Sequence, residues 1–271
     1  MSKAIRSLML ASAIFGLMLM AVTAQAQEAS SEPQEWWYKN IAEVDFVLEH
    51  VNMVRSEDVM IIDSRPYETK FVNGYIPTSV SIPFSKFEEM QGELPENKDT
   101  LLIFYCGGYH CKLSHKSAKA AEALGYTNIQ VFAAGFPEYK KHAAYFSVGV
   151  EYVKDKLVDN ANYLLIDARP ANKYLEGQIP SSINIPFSGF EDKVGMLPAD
   201  KDVELIYYCG GYACKLSHKS ALAAIELGYT KVVVAEAGYP GWVELYGAGS
   251  SVSMGGDIEG SIDLDFFNKS M

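Results

Sequence analysis

The chain is poor in cysteine and in positive charge, and both shortages narrow what it can be. Four cysteines in 271 residues are too few to staple a disulfide scaffold, so a buried apolar core must hold the fold. Basic residues number 23 against 34 acidic ones, for a formal charge of −11. A surface this acidic lacks the footprint of a nucleic-acid or anionic-lipid binder. It does not exclude a small anionic ligand, because backbone amides can gather an anion locally. Glycine and proline occur at ordinary levels and 49% of residues are apolar, which excludes fibrous and disordered classes. Cysteine is also missing just after the N-terminal apolar run, so nothing there invites a lipid anchor. The pattern Cys-x-x-Cys is absent altogether.

What is present begins with a targeting pattern. Lys3 and Arg6 precede a charge-free apolar stretch from Leu8 to Val22, and Ala24-Gln25-Ala26 sets small residues where a signal peptidase reads. Residues 1–26 are therefore expected to be a cleaved secretory signal, and the mature chain to be periplasmic or extracellular. The stretch is short for a membrane span, which needs about 20 apolar residues, so no stable membrane insertion is expected after cleavage. Residues 27–35 read as a short polar linker. In an oxidising compartment cysteines usually end in disulfides, so their placement here matters.

All four sit in a repeated sentence. "YCGGYHCKLSHKSA" (Tyr105–Ala118) and "YCGGYACKLSHKSA" (Tyr208–Ala221) differ only at His110 and Ala213. The repeat reaches well beyond them. "VMIIDSRP" (Val59–Pro66) answers to "YLLIDARP" (Tyr163–Pro170), and "NGYIPTSVSIPF" (Asn73–Phe84) to "EGQIPSSINIPF" (Glu176–Phe187). The offset is 104 residues up to Pro66/Pro170 and 103 from Gly74/Gly177 onward, so one residue is lost between. Two copies at this period are a duplicated domain, not a solenoid. Domain one is read as residues 36–146 and domain two as 147–249. Residues 250–271 are an acidic, Gly-rich tail whose "SIDLDFF" is read as a loosely held segment or an added strand.

Within each copy strands and helices alternate. Apolar runs end at Asp63 and Asp167 and at Cys106 and Cys209, and read as strands buried on both faces. Helical stretches are expected over 67–73 and 171–176, stopped by Gly74 and Gly177, and over 112–124 and 215–227, closed by Gly125 and Gly228. This alternation predicts an α/β fold, two tandem domains each with a parallel sheet and helices on both faces. Ligands of such sheets lie beyond the carboxyl ends of the strands, where Cys106 and Cys209 fall.

A strand end, a glycine-containing loop and a helix start form a place for an anion. Loop amides can converge on one spot and the helix terminus adds partial positive charge. Gly107 and Gly108, like Gly210 and Gly211, permit the tight backbone this needs. The expectation is a Cys106 or Cys209 thiolate favoured by a loop of Tyr109, His110, Cys111 and Lys112, or Tyr212, Ala213, Cys214 and Lys215. A persulfide is likewise an anion and suits the same cradle. For Cys111 and Cys214 three readings stand: a packed residue in the first helical turn, a resolving thiol, or a metal ligand with Cys106 and His115. A loop that aims its amides at the first sulfur predicts that the fifth residue points elsewhere, against a disulfide. His115 and His218 read as packing residues, and His110, present once, as a tuner of one site.

Taken in order, these motifs resemble the rhodanese family of sulfurtransferases, over roughly Trp36 to Gly249. "DSRP" and "DARP" resemble its Asp-x-Arg strand end. "NGYIPTS" and "EGQIPSS" resemble its Gly-His-Ile-Pro-Gly-Ala segment, with Tyr75 and Gln178 for the usual His. The two Cys-Gly-Gly loops resemble its active-site loop, and those of secreted polysulfide-sulfur transferases in particular. "AGFPEY" and "AGYPGW" resemble its closing segment, with Tyr139 for Trp in the first. The resemblance implies double displacement: Cys106 or Cys209 takes the outer sulfur of thiosulfate or polysulfide as a persulfide and yields it to a thiol, cyanide or protein acceptor. It implies no cofactor and no metal. Asp63 with Arg65, and Asp167 with Arg169, are expected to brace the loop region. The loops carry Tyr with His or Ala and no cation before Lys112 or Lys215, which turns the reading from thiosulfate toward polysulfide, and Cys111 and Cys214 stand where the family usually has Arg, five residues after the first cysteine.

Other classes share the cysteine. A phosphatase loop needs an Arg fork six residues on, where Lys112 and Lys215 stand as point charges. Thiol–disulfide oxidoreductases normally use Cys-x-x-Cys. A non-catalytic carrier that hands a persulfide to a partner protein differs only in its acceptor.

Overall fold

The structure is a computed structural model that describes residues 32–159 and 162–248. The expected signal segment and C-terminal tail lie outside the described residues. The first copy opens with α1 (Val44–His50) and continues through β1 (Val59–Asp63), β2 (Val80–Ser81), α2 (Phe87–Met90), β3 (Leu101–Tyr105), α3 (Leu113–Ala123), β4 (Ile129–Phe132) and α4 (Gly135–His142). The second runs through β5 (Phe146–Val148), α5 (Val150–Asp159), β6 (Tyr163–Asp167), α6 (Ala171–Glu176), β7 (Ile183–Asn184), β8 (Glu204–Tyr208), α7 (Leu216–Glu226), β9 (Val232–Ala235) and α8 (Gly238–Tyr246).

The sheets are parallel throughout, in the orders β2-β1-β3-β4 and β5-β9-β8-β6-β7. Continuous apolar strands belong between two helical layers, and each sheet has an apolar cluster on either face. In the first domain Ile62, Leu102 and Phe104 face one cluster, Ile61, Ile103 and Tyr105 the other. In the second, Ile166, Leu205 and Tyr207 oppose Leu165, Ile206 and Tyr208. Each lead-in segment lies beside the last strand of its sheet. Ile41 forms a parallel bridge to Val131 of β4, and β5 pairs with β9, so Phe146 goes with the second domain.

The missing repeat residue has a structural counterpart. In the second copy Tyr174 N–H bonds Pro170 carbonyl four residues back (3.2 Å), an α turn. In the first, Phe71 and Val72 reach five back, to Pro66 (3.2 Å) and Tyr67 (3.1 Å). Tyr67–Phe71 is thus a π turn, whose wider coil absorbs one extra residue. The sequence predicts an ordinary helical stretch there, because periodicity over seven residues does not separate the two coils.

The domains meet at a polar seam. Tyr75 and Ser147 exchange backbone hydrogen bonds (2.8 and 3.0 Å), so the first domain covers the outer side of β5. Glu236, which follows β9 and is 2% exposed, accepts from the Thr78 amide (2.9 Å) and the Ser147 hydroxyl (2.7 Å). Its other oxygen has no hydrogen-bond partner, and burial pushes the carboxyl up to about 7. Thr78 and Ser181 stand in the left-handed region (φ 65° and 61°), an unusual backbone for any residue with a Cβ.

Candidate active site

Each site grows from the carboxyl end of a central strand. β3 delivers Cys106, the loop 107–112 turns, and α3 begins with Lys112 as its N-cap; β8, residues 210–215 and α7 repeat this. Gly108 and Gly211 take left-handed conformations (φ 113° and 99°), which glycine adopts freely. The floor is a close approach. Phe136 and Tyr239 donate their amides to the carbonyls of Cys106 and Cys209, both at 3.0 Å. The glycines before them, Gly135 and Gly238 (φ 65° and 58°), leave no room for a Cβ, which would overlap those carbonyls and the amides of Gly108 and Gly211.

The first cysteines are buried, each 1% exposed. Cys106 Sγ lies 3.2 Å from the Cys111 carbonyl oxygen and 3.1 Å from Ser114 Oγ. Cys209 repeats both distances with Cys214 and Ser217. The serines are functional neighbours that the sequence reading missed. Their signal was identity in both copies at the second helical residue, where a hydroxyl faces back to the strand end.

The second cysteines are partly exposed and folded back over the loop. A Cβ on Gly210 would sit 3.9 Å from Cys214 Sγ. The first sulfur of each loop donates to the backbone carbonyl of the second cysteine, and the two thiols act on each other's ionisation. This corrects the expectation that Cys111 and Cys214 point away. A second correction concerns charge. Its interaction with Cys106, together with the amides of Gly107 and Leu113, lowers the Cys111 thiol to about 6. Cys214 falls to about 6 for the same reasons, with Cys209, Gly210 and Leu216 as partners. Burial and the interaction with Cys111 push Cys106 well above the usual thiol range, and the interaction with Cys214 and burial do the same for Cys209. Within each pair the second cysteine is the more acidic thiol, chiefly through its interaction with the first and with help from two loop amides.

The supporting acid–base residues form buried forks. Arg65 Nε approaches both Asp63 oxygens (2.9 and 3.0 Å), and its terminal nitrogen bonds Asp63 (2.5 Å) and the Gly74 carbonyl (2.7 Å). Arg169 binds Asp167 and the Gly177 carbonyl in the same way. Their guanidinium groups lie over Phe136 and Tyr239, 4.5 and 4.6 Å from the ring centres. Each arginine thus ties a strand end to the segment that floors the cysteine loop, and neither is hydrogen-bonded to a cysteine sulfur.

The roofs of the two loops differ. Tyr109 stacks on Trp37 (6.0 Å, 9°), which stacks in turn on His115 (5.4 Å). Tyr212 lies under Arg55 of the first domain, 4.5 Å from ring centre to guanidinium carbon. His110 and Ala213 are exposed, as are Lys112 and Lys215, with Lys112 over the Trp36 ring at 5.2 Å. His115 and His218 are buried, and burial lowers both to about 4. His115 Nδ1 accepts the Tyr38 amide (2.9 Å), and His218 Nδ1 meets the Tyr145 hydroxyl (2.9 Å). Among the described residues no group of three or more His, Cys, Asp or Glu is placed to hold a metal ion.

Comparison with known proteins agrees with this architecture. The model of the Rhodanese-like domain family matches residues 47–142 and 150–245. A sulfurtransferase of Allochromatium vinosum is 26% identical over 92 residues, 34% of this chain and 82% of that protein. The HTH-type transcriptional regulator Rv0324 of Mycobacterium tuberculosis is 34% identical over 64 residues, 24% of this chain and 27% of the regulator. The crystal structure of thiosulfate sulfurtransferase from Pseudomonas aeruginosa aligns at 20% identity with a TM-score of 0.35, over 84% of this chain and 46% of that one. The chain thus spans about a quarter of the regulator and under half of the pseudomonad protein. With one match in each half and most of the chain covered, it belongs to the rhodanese-like domain family, whose domain it carries twice in tandem.

Proposed function

We propose that the protein is a sulfurtransferase that moves sulfane sulfur from polysulfide or thiosulfate to a thiophilic acceptor through cysteine persulfides at two sites. One observation carries this reading: in each rhodanese-like domain a cysteine ends the central strand under a glycine-floored loop and a helix terminus. In the first half-reaction a thiolate of the pair attacks the outer sulfur of the donor. The donor S–S bond breaks, and its electron pair leaves with sulfite or a shortened polysulfide. In the second, the acceptor attacks the outer sulfur of the cysteine persulfide, and a thiolate returns. Loop amides and the Ser114 or Ser217 hydroxyl hold the anionic sulfur throughout.

The loops hold exposed lysines and no arginine fork, which favours polysulfide over the tetrahedral sulfonate end of thiosulfate. The test is a donor comparison with cyanide as acceptor. Polysulfide is expected to be used faster, and full transfer by a protein with all four cysteines changed to serine would end the reading. A thiol–disulfide oxidoreductase is the second reading, favoured by the two cysteines held in one loop of each domain. Insulin reduction without sulfur transfer would select it. A persulfide carrier would load from the donor and discharge only to a protein acceptor. The proposed setting is the periplasm or cell exterior, tested by the N-terminal residue of the mature protein.

A further inference from the structure

We infer that Cys111 and Cys214 are catalytic residues: they take the sulfane sulfur from the donor and pass it inward to Cys106 and Cys209. This rests on the sulfurtransferase reading and assigns the order of events within it. Three geometric facts support it. Cys106 and Cys209 are 1% exposed, while Cys111 and Cys214 are partly exposed, so a dissolved donor meets the second thiol first. The first sulfur lies 3.2 Å from the backbone carbonyl of the second cysteine in each loop, so the second cysteine packs directly against the sulfur it is to pass its cargo to. The arrangement recurs in both domains, with the same 3.2 and 3.1 Å contacts about the buried sulfur.

Electrostatics agrees with this order. Cys106 and then the amides of Gly107 and Leu113 lower the Cys111 thiol, against burial and the charge of Asp63. Cys214 has the same surroundings, with Asp167 as the opposing charge. A thiol lowered to about 6 is mostly thiolate at neutral pH, and the thiolate is the nucleophile.

The steps balance without an outside oxidant. The Cys111 thiolate forms a bond to the donor's outer sulfur, and the donor S–S bond breaks with its electrons leaving on sulfite or shortened polysulfide. Cys106 sulfur then attacks the outer sulfur of that persulfide. The bond from this sulfur to Cys111 breaks, and the proton of Cys106 passes to Cys111. One sulfane sulfur has moved inward and no net oxidation has occurred. The buried persulfide is shielded from bulk reductants, and discharge is the same exchange in reverse, back to Cys111 and on to the acceptor.

The experiment loads the full chain with inorganic polysulfide and locates the added sulfur by peptide mass spectrometry, with loading rates from rapid mixing. C106S/C209S is expected to load one sulfur on each of Cys111 and Cys214 within a few-fold of the wild-type rate, since both receiving thiols stay partly exposed. C111S/C214S is expected to load at least about tenfold more slowly, because its remaining thiols are buried and protonated. Wild-type loading of Cys106 and Cys209 in C111S/C214S overturns the inference and leaves the sulfurtransferase reading standing. Wild-type transfer by the four-serine protein overturns that reading itself. A Cys106–Cys111 disulfide with release of sulfide, in place of a persulfide, also overturns the inward transfer. Limited alkylation of the wild-type protein needs no variant: Cys111 and Cys214 are expected to react before Cys106 and Cys209, and the opposite order refutes the assignment.

Discussion

Replacing Glu236 by glutamine should stabilise the protein at alkaline pH and much less in acid. Glu236 is 2% exposed at the seam, with one oxygen hydrogen-bonded to Thr78 and Ser147 and the other without a partner. In the open chain its carboxyl titrates near 4.5, and in the fold burial holds the proton to about 7. Below the lower value both states are protonated and the site carries no penalty. As pH rises from 4.5 toward 7 the open chain ionises while the fold does not, so stability falls. Above 7 both are ionised and the penalty is complete. At ~1.4 kcal/mol per pH unit it amounts to about 3 kcal/mol. Glutamine keeps an acceptor for Thr78 and Ser147 and never ionises. Thermal unfolding should therefore show the variant melting roughly 6–10 °C higher at about pH 8, but only roughly 2–3 °C higher at about pH 5, where about a quarter of the penalty has developed. His218 Nε2 lies 3.8 Å from the Glu236 carboxyl, but burial lowers both His218 and His115 to about 4, below the pH values compared. Equal melting at both pH values, or the same gain at both, refutes the argument that an ionised Glu236 burdens the seam.

Further outcomes follow from the two sites. Arg65→Met or Arg169→Met leaves a buried, unpaired aspartate and should cost about 3–5 kcal/mol in denaturant unfolding. Gly135→Ala should disable sulfur loading at Cys106 while Cys209 still loads, and Gly238→Ala the reverse, read peptide by peptide. Thr78→Gly relieves a left-handed backbone worth about 1–2 kcal/mol but loosens the unfolded chain by about 0.5–1 kcal/mol. A net gain near 0.5–1 kcal/mol is expected, and a loss would mean that the Thr78 side chain holds the seam.

Most of the fold could be read from the chain because its signals are local. Apolar runs ended by Asp63, Cys106 and their repeats gave the strands, and Gly125 and Gly228 marked where α3 and α7 stop. The loop cysteines were legible as a site through duplication. The direction of their side chains was not, since spacing alone does not say which sulfur the amides of Gly107 and Leu113 reach. The π turn after Pro66 left only a one-residue change of offset. The roofs over Tyr109 and Tyr212 come from Trp37 and Arg55, distant in sequence, and no periodicity reports such contacts. Glu236 follows an apolar strand without any motif of its own, and its partner Thr78 lies in the other copy.

The shared lead-in geometry bears on how such a domain can be moved between proteins. The family match to the second copy begins at Val150, after β5 has ended. A fragment cut there would lose the strand that covers β9. Its Val233, Val234 and Ala235 would then stand on a bare, unpaired rim, open to addition by any extended peptide and to aggregation. A fragment that keeps β5 but lacks the first domain still uncovers Ser147, whose backbone Tyr75 now occupies. The unit fit for transplantation therefore starts upstream of β5 and needs a substitute for Tyr75, such as a charged residue on the outward side of that strand.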